Sequence, residues 1–222
     1  GVALPVLDGD DRLELPAGGR PAVAFDRFRS RIHSVMGMRP CVLATEQALR
    51  RRPFASIDYH MMHLDLGSWQ PADVGQPRGL FVRKAFPEDT DSIFPLQRAY
   101  EIEEVYLDPR QFDDRRCRSL LRRNLRAELT YVAELGGTPV AKAGTNARGF
   151  TTDQIGGVFT RPDLRHRGVA RVVMTALIEG IRADKAHVCL FVKKDNAPAI
   201  RLYLGLGFVI RGDYRISYYG RL

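Results

Sequence analysis

The sequence predicts a mixed α/β (α+β) fold, a central sheet flanked by helices, on three observations. Apolar residues at Val169, Val172, Val173, Ala176, Leu177, Gly180 and Ile181 keep a helical spacing for about three turns. Runs of strand length, Leu129 to Leu135, Pro139 to Thr145, Phe150 to Thr160 and Ala186 to Val192, alternate with such helical patterns. Gly136-Gly137, between the first two runs, marks a tight hairpin turn. At 222 residues the chain can bury one large core or two small ones.

The elements follow in order. Residues 67–78 are polar, rich in Pro and Gly and without period, and separate two parts of the chain. Beyond them Gly79 to Phe86 reads as a strand. Pro87-Glu-Asp-Thr opens a helix that runs through Ile93, Leu96, Tyr100 and Ile102-Glu-Glu-Val105. A second helix covers about 111–126, followed by the hairpin strands, the strand ending at Thr160, the helix from Val169 and the strand to Val192. Asp195 or Asn196 caps a short helix with Pro198 in its first turn, where a missing N–H costs nothing. Gly205 and Gly207 close that helix, and a final hairpin joins Phe208–Ile210 to Tyr214–Tyr219.

Residues 1–66 read as a small α/β piece: a helix from Ala24 to Met36, a strand from Cys41 to Ala44, a helix from Thr45 to Arg52 capped by Thr45, and a strand from Ser56 to Leu66. His60 and His63 fall on opposite faces of an alternating strand, and half-buried strand histidines are commoner than a metal pair. No metal site is expected.

The most informative stretch is Val158-Phe-Thr-Arg-Pro-Asp-Leu-Arg165-His-Arg-Gly168-Val-Ala170. An apolar strand enters a basic, glycine-containing turn and then the amphipathic helix. The turn presents a helix N-terminus, where free N–H groups and the positive dipole end attract an anion. Gly168 allows close approach to the backbone, and Arg165, His166 and Arg167 add positive charge. Gly-x-x-x-x-Gly-Lys-Ser/Thr is absent, which argues against nucleoside triphosphate hydrolysis, and so is Gly-x-Gly-x-x-Gly.

Arg165-x-x-Gly168-x-Ala170 resembles the coenzyme-A pyrophosphate loop of the GNAT superfamily of N-acetyltransferases. Asn196-Ala-Pro-Ala199-Ile-Arg-Leu-Tyr203, followed by Gly207-Phe208, is similar to a second signature of that family, one strand and one helix further on. The resemblance covers residues 79–222. It implies a mostly antiparallel sheet in which strands four and five splay apart. The backbone of Gly157, Val158, Phe159 and Thr160 then aligns the cofactor's pantetheine arm and polarises its carbonyl. Arg165, His166, Arg167, Gly168, Val169 and Ala170 hold the pyrophosphate, and Asn196 holds the arm. Residues 1–66 are then expected to be a degenerate acetyltransferase-like half beside the active domain.

The activity so implied is transfer of an acetyl group from acetyl-CoA, as co-substrate, to a primary amine. Tyr203 is the candidate acid that protonates the leaving thiolate. Glu104, then Glu103, are candidate bases at the end of the first helix; Glu101 is disfavoured by helical phase. Asp153 is another candidate, a water chain an alternative, and a solvated surface carboxylate the bland reading of each. Tyr100 and Tyr106 wall the acceptor pocket or belong to the core. Acceptor and acyl length stay open.

The net charge of +8 lies almost wholly in residues 79–222, with 24 basic against 17 acidic residues. Arg115, Arg116, Arg118, Arg122, Arg123 and Arg126 form one cluster. RNA is one reading, but no aromatic residues interleave with the arginines as a single-strand binder needs. A basic mouth for a phosphorylated coenzyme is favoured, and nucleic acid is not expected as a partner. A non-catalytic acyl-CoA sensor or scaffold stays open as an alternative. No apolar run reaches membrane-spanning length, so no membrane partner is expected. Cys41, Cys117 and Cys189 are odd in number and far apart, which fits a reducing, cytoplasmic location. A monomer or homodimer is expected. The chain opens on Gly1, which leaves open whether that is the native start.

Overall fold

The computed structural model describes residues 32–71, 75 and 77–220. These fall into two compact units, residues 58–214 and residues 32–57 with 215–220. Residues 58–66, grouped with the N-terminal piece from sequence, therefore contribute to the larger unit.

In the smaller unit, β1 (Ser34–Met38) is followed directly by α1 (Arg39–Leu49). The helix expected over Ala24 to Met36 falls partly outside the described residues, and Ser34 to Met36 are strand instead. The strand and helix expected over Cys41–Ala44 and Thr45–Arg52 are one helix. Pro40 sits in its first turn, where its fixed φ favours helix, and Thr45 is no cap: its hydroxyl donates to the Cys41 carbonyl at 2.8 Å. Val42 and Leu49 are its buried residues.

The larger unit takes up most of β2 (Ala55–Asp65), then β3 (Leu80–Lys84), a 3₁₀ turn (Pro87–Asp89), α2 (Thr90–Tyr100) and a π-helical turn (Glu101–Val105). After α3 (Asp114–Ala127), capped by the Asp113 carboxylate on the Arg116 N–H, come β4 (Thr130–Leu135), β5 (Thr138–Arg148) and β6 (Thr152–Thr160). Then follow α4 (Val169–Arg182), β7 (His187–Lys193), α5 (Ala197–Gly205) and β8 (Val209–Tyr218). The expected final hairpin is one continuous strand: Gly212 does not take the positive φ of a tight turn, and Asp213 is instead held by Lys194 at 2.7 Å. Gly136 and Gly137, at φ 58° and 77°, do make the β4–β5 hairpin.

The strand order in this unit is β8-β2-β7-β6-β5-β4-β3. β2–β7 and the chain of pairs from β3 to β6 are antiparallel, whereas β6 and β7 run parallel. The sheet is thus mostly antiparallel and flanked by helices. Alternation along β4 and β5 separates two layers. Ala133, Ala141 and Ala143 pack with Val173, Met174, Leu177, Ile178 and Ile181 of α4. Val132, on the opposite face, packs with Ile93, Phe94, Cys117, Leu121 and Leu125 of α2 and α3. Val173, Met174, Leu177, Ile178 and Ile181, all fully buried, contribute about 1.5–3 kcal/mol each, which makes α4 the rigid base for the turn before it.

Candidate active site

The turn entering α4 is built on positive φ. His166 stands at φ 61° and Gly168, the N-cap, at φ 79°. The first bond back into the helix runs from the Val172 N–H to the Gly168 carbonyl at 3.2 Å, so the N–H groups of Val169, Ala170 and Arg171 have no intrahelical acceptor. A Cβ on Gly168 would meet nothing within 4 Å, so the concavity is open. His166, Arg167 and Gly168 are exposed, while Val169 is buried and anchors the helix. Arg165 is turned inward: Nε donates to the Thr160 carbonyl at 3.1 Å, and Nη2 pairs with Glu103 Oε2 at 2.8 Å.

Above the turn the sheet opens. β6 and β7 pair over Thr152↔His187 to Ile155↔Leu190, and the remainder of β6 has no β7 partner in that ladder. β7 pairs onward with β2 as far as Tyr59↔Lys193. On its other side β6 carries a bulge: Lys142 faces Phe159 while Gly144 faces Gly156, so Gly157 and Val158 together oppose the single residue Ala143. Gly157 takes φ 59°. Val158 is half-buried, Phe159 and Thr160 are buried, and Thr160 Oγ1 has no hydrogen-bond partner among the described residues.

On the far wall, Asn196 caps α5: its Oδ1 accepts from the Ala199 N–H at 3.1 Å, while Nδ2 lies 3.4 Å from Glu104 Oε1. Lys193 Nζ approaches Glu104 Oε2 at 3.0 Å. Tyr203 is buried against Phe208, ring centroids 5.9 Å apart. Burial first, then the nearby Tyr100 and Glu104, pushes its phenol well above the ordinary tyrosine range, so it keeps its proton at neutral pH. Arg171 Nη1 donates to the Gly205 carbonyl at 2.8 Å and ties the start of α4 to the end of α5.

Glu104, Asn196 and Tyr203 are thus brought together, and Glu103 is joined to Arg165. Asp153 stands apart: it is fully buried, paired with Arg148 at 3.0 Å, and four residues before Gly157, about 13 Å along an extended strand. Helix α2 ends in a π-type step, the Tyr106 N–H bonding the Glu101 carbonyl, so the phase changes beyond Glu101, where Glu103 and Glu104 stand. Two further residues, Lys193 and Lys142, gain no weight from sequence. Lys193 had no local signature. Lys142 is 5% exposed in a strand of small buried residues, and that lone lysine was the available signal. Its Nζ donates to the Gly157 carbonyl at 2.7 Å and lies 4.8 Å from the Tyr100 ring centre.

A parallel pair that parts above a helix N-terminus with free N–H groups defines the geometry of the site. A family model described as the acetyltransferase (GNAT) family matches residues 94–208, just over half of the chain, and the chain belongs to that family. Among solved structures it is similar to a putative GNAT acetyltransferase from Novosphingobium aromaticivorans, with 23% identity and TM-score 0.56 over 77% of this chain and 67% of that one. A tandem GNAT protein from the clavulanic acid biosynthesis pathway gives 15% identity and TM-score 0.65 over 95% and 74%. A predicted acetyltransferase from Clostridium acetobutylicum, solved with acetyl-CoA, gives 19% and 0.50 over 60% and 91%. No curated protein matches the chain.

Proposed function

We propose that the protein transfers an acetyl group from acetyl-CoA directly to a primary amine. The reading is carried by the opening of β6 from β7 beyond Ile155 and Leu190, directly before the free N–H groups of α4. The residues present fit the coenzyme: an open Gly168, exposed His166 and Arg167, and an unpartnered buried Thr160 Oγ1. Val169, Ala170 and Arg165 complete the pyrophosphate cradle. The bound thioester supplies an activated acyl group, and the protein's part is to position and polarise.

The backbone of Val158, Phe159 and Thr160 lines the pantetheine arm and offers N–H groups to the carbonyl oxygen. Asn196 orients that arm from the cap of α5. Tyr203, protonated and buried, donates to the departing sulfur. Glu104 is the favoured proton acceptor, because Lys193 and Asn196 fix its orientation. Glu103, more exposed and engaged by Arg165, is the second choice. We assign the smaller unit, described over residues 32–57 and 215–220, as what remains of an acetyltransferase-like half; the tandem GNAT fold, similar over 95% of this chain, supports this. Free Cys41, Cys117 and Cys189 support a cytoplasmic setting.

A panel of amines with acetyl-CoA and longer acyl-CoA thioesters, read by thiol release, tests the proposal. Turnover with one amine class and the acetyl donor is expected. Tight acetyl-CoA binding without thiol release against any amine identifies a sensor or scaffold instead.

A further inference from the structure

Lys142 is a charged group where the fold has little reason to place one. Its neighbours Ala141 and Ala143 point into the α4 layer, so alternation aims Lys142 at the opposite layer, beneath α2. There it meets the Tyr100 ring and the bulge of β6. Residue 157 is a glycine at φ 59°, a conformation that favours glycine, and a Cβ there would lie 3.0 Å from Nζ. Gly157 is held through its carbonyl, which accepts from Lys142 at 2.7 Å.

The Gly157 carbonyl and the Val158 N–H belong to one peptide group. A cation on the carbonyl oxygen draws electron density toward it and makes the N–H a stronger donor, as in any hydrogen-bonded chain. We propose that Lys142 is a positioning residue of the acyl-transfer site: its ammonium clamps the β6 bulge and polarises the Gly157–Val158 peptide, so that the Val158 N–H meets the thioester carbonyl oxygen as a strengthened donor. This rests on the acetyl-transfer reading. It assigns the lysine no proton transfer.

The charge is conditional. Burial pushes the Lys142 pKa down to about 8, with Glu101 of the π turn and Cys117 of α3 pulling it back up. Tyr100 faces the ammonium from α2 with its own pKa pushed up to about 12, and Asp114 and Arg118 act on Cys117. Below about pH 8 the clamp is charged; as pH rises through that value it becomes neutral.

The test uses the whole chain. In ¹⁵N-labelled protein, the Val158 amide resonance should move with a midpoint near pH 8 and stay flat in Lys142→Met. With the amine that turns over fastest, kcat of Lys142→Met should fall roughly tenfold at pH 7, while the acetyl-CoA Kd from calorimetry changes little. The ratio of wild-type to variant kcat cancels the titration of the amine itself, and should decline toward unity above pH 8. A ratio independent of pH, or a Val158 resonance insensitive to pH in the wild type, overturns the clamp. If Lys142→Met does not fold, the wild-type Val158 titration decides. If no amine turns over, the acetyl-transfer reading fails, and the same titration still judges the clamp.

Discussion

Replacing Gly168 by alanine separates what the turn does for the fold from what it does for a ligand. The residue sits at φ 79°, ψ −6°, and an added Cβ meets nothing within 4 Å. The cost to the fold is therefore conformational, not steric, about 1–2 kcal/mol for an L-residue held left-handed. At this size that lowers Tm by roughly 2–8 °C. Gly136, in the β4–β5 hairpin, is a matched control: φ 58°, with open space around its Cβ. Both variants should melt earlier by similar amounts. Only Gly168→Ala places a methyl beside the free N–H groups of Val169, Ala170 and Arg171, where a phosphate must approach. Losing one charge-assisted hydrogen bond there costs about 1.5–3 kcal/mol, a rise in acetyl-CoA Kd of roughly 10- to 150-fold. Calorimetry and melting curves with and without acetyl-CoA read both effects. If Gly168→Ala matches Gly136→Ala in Tm and binds acetyl-CoA like the wild type, the turn is not the phosphate cradle.

Further outcomes follow from the same geometry. Tyr203→Phe keeps the ring on Phe208, so Tm should hold while kcat falls roughly 100-fold; undiminished kcat removes the acid role. Asn196→Ala loses the cap of α5 at a cost of about 1 kcal/mol, and should also weaken acetyl-CoA binding; a lower Tm with unchanged affinity leaves Asn196 a cap alone. Asp89 is held below its ordinary pKa chiefly by the Arg83 hydrogen bonds. A depressed carboxylate stabilises the fold above its unfolded pKa, about 3.9, and the gain is lost as pH falls from there toward the folded value. Arg83→Leu should therefore flatten the acid side of the Tm profile; an unaltered acid limb shows that the pair is not its source.

What could be read from the sequence was local. Gly168 and the helix behind it declare themselves because strand, turn and helix are consecutive, and a buried helix must show its apolar spacing. Asn196 and Pro198 do so for the same reason, since a cap and a first-turn proline act within a few residues. Lys142 is different: its function depends on Tyr100 and Gly157, which only strand pairing brings to it. The directions of Glu103 and Glu104 are not legible from a regular 3.6-residue phase, because the turn that carries them is not regular. Near Cys41 the short apolar run was ambiguous between strand and helix, and Pro40 in the first turn decided it. At Gly212-Asp213, turn-forming residues lie inside a strand because an ion pair with Lys194 occupies the aspartate.

The π turn has a consequence for how the acceptor side could diverge. Such a turn is an α-helix carrying one surplus residue. Deleting a single position within Glu101–Val105 would restore an ordinary helix and swing everything after it by about 100°. With Ile102 deleted, Glu103 and Glu104 would both turn by that one step, releasing Arg165 from one and Lys193 from the other. The cradle at Gly168, on a separate element, would be untouched. A one-codon change in this way re-aims two carboxylates and leaves the turn before α4 as it is.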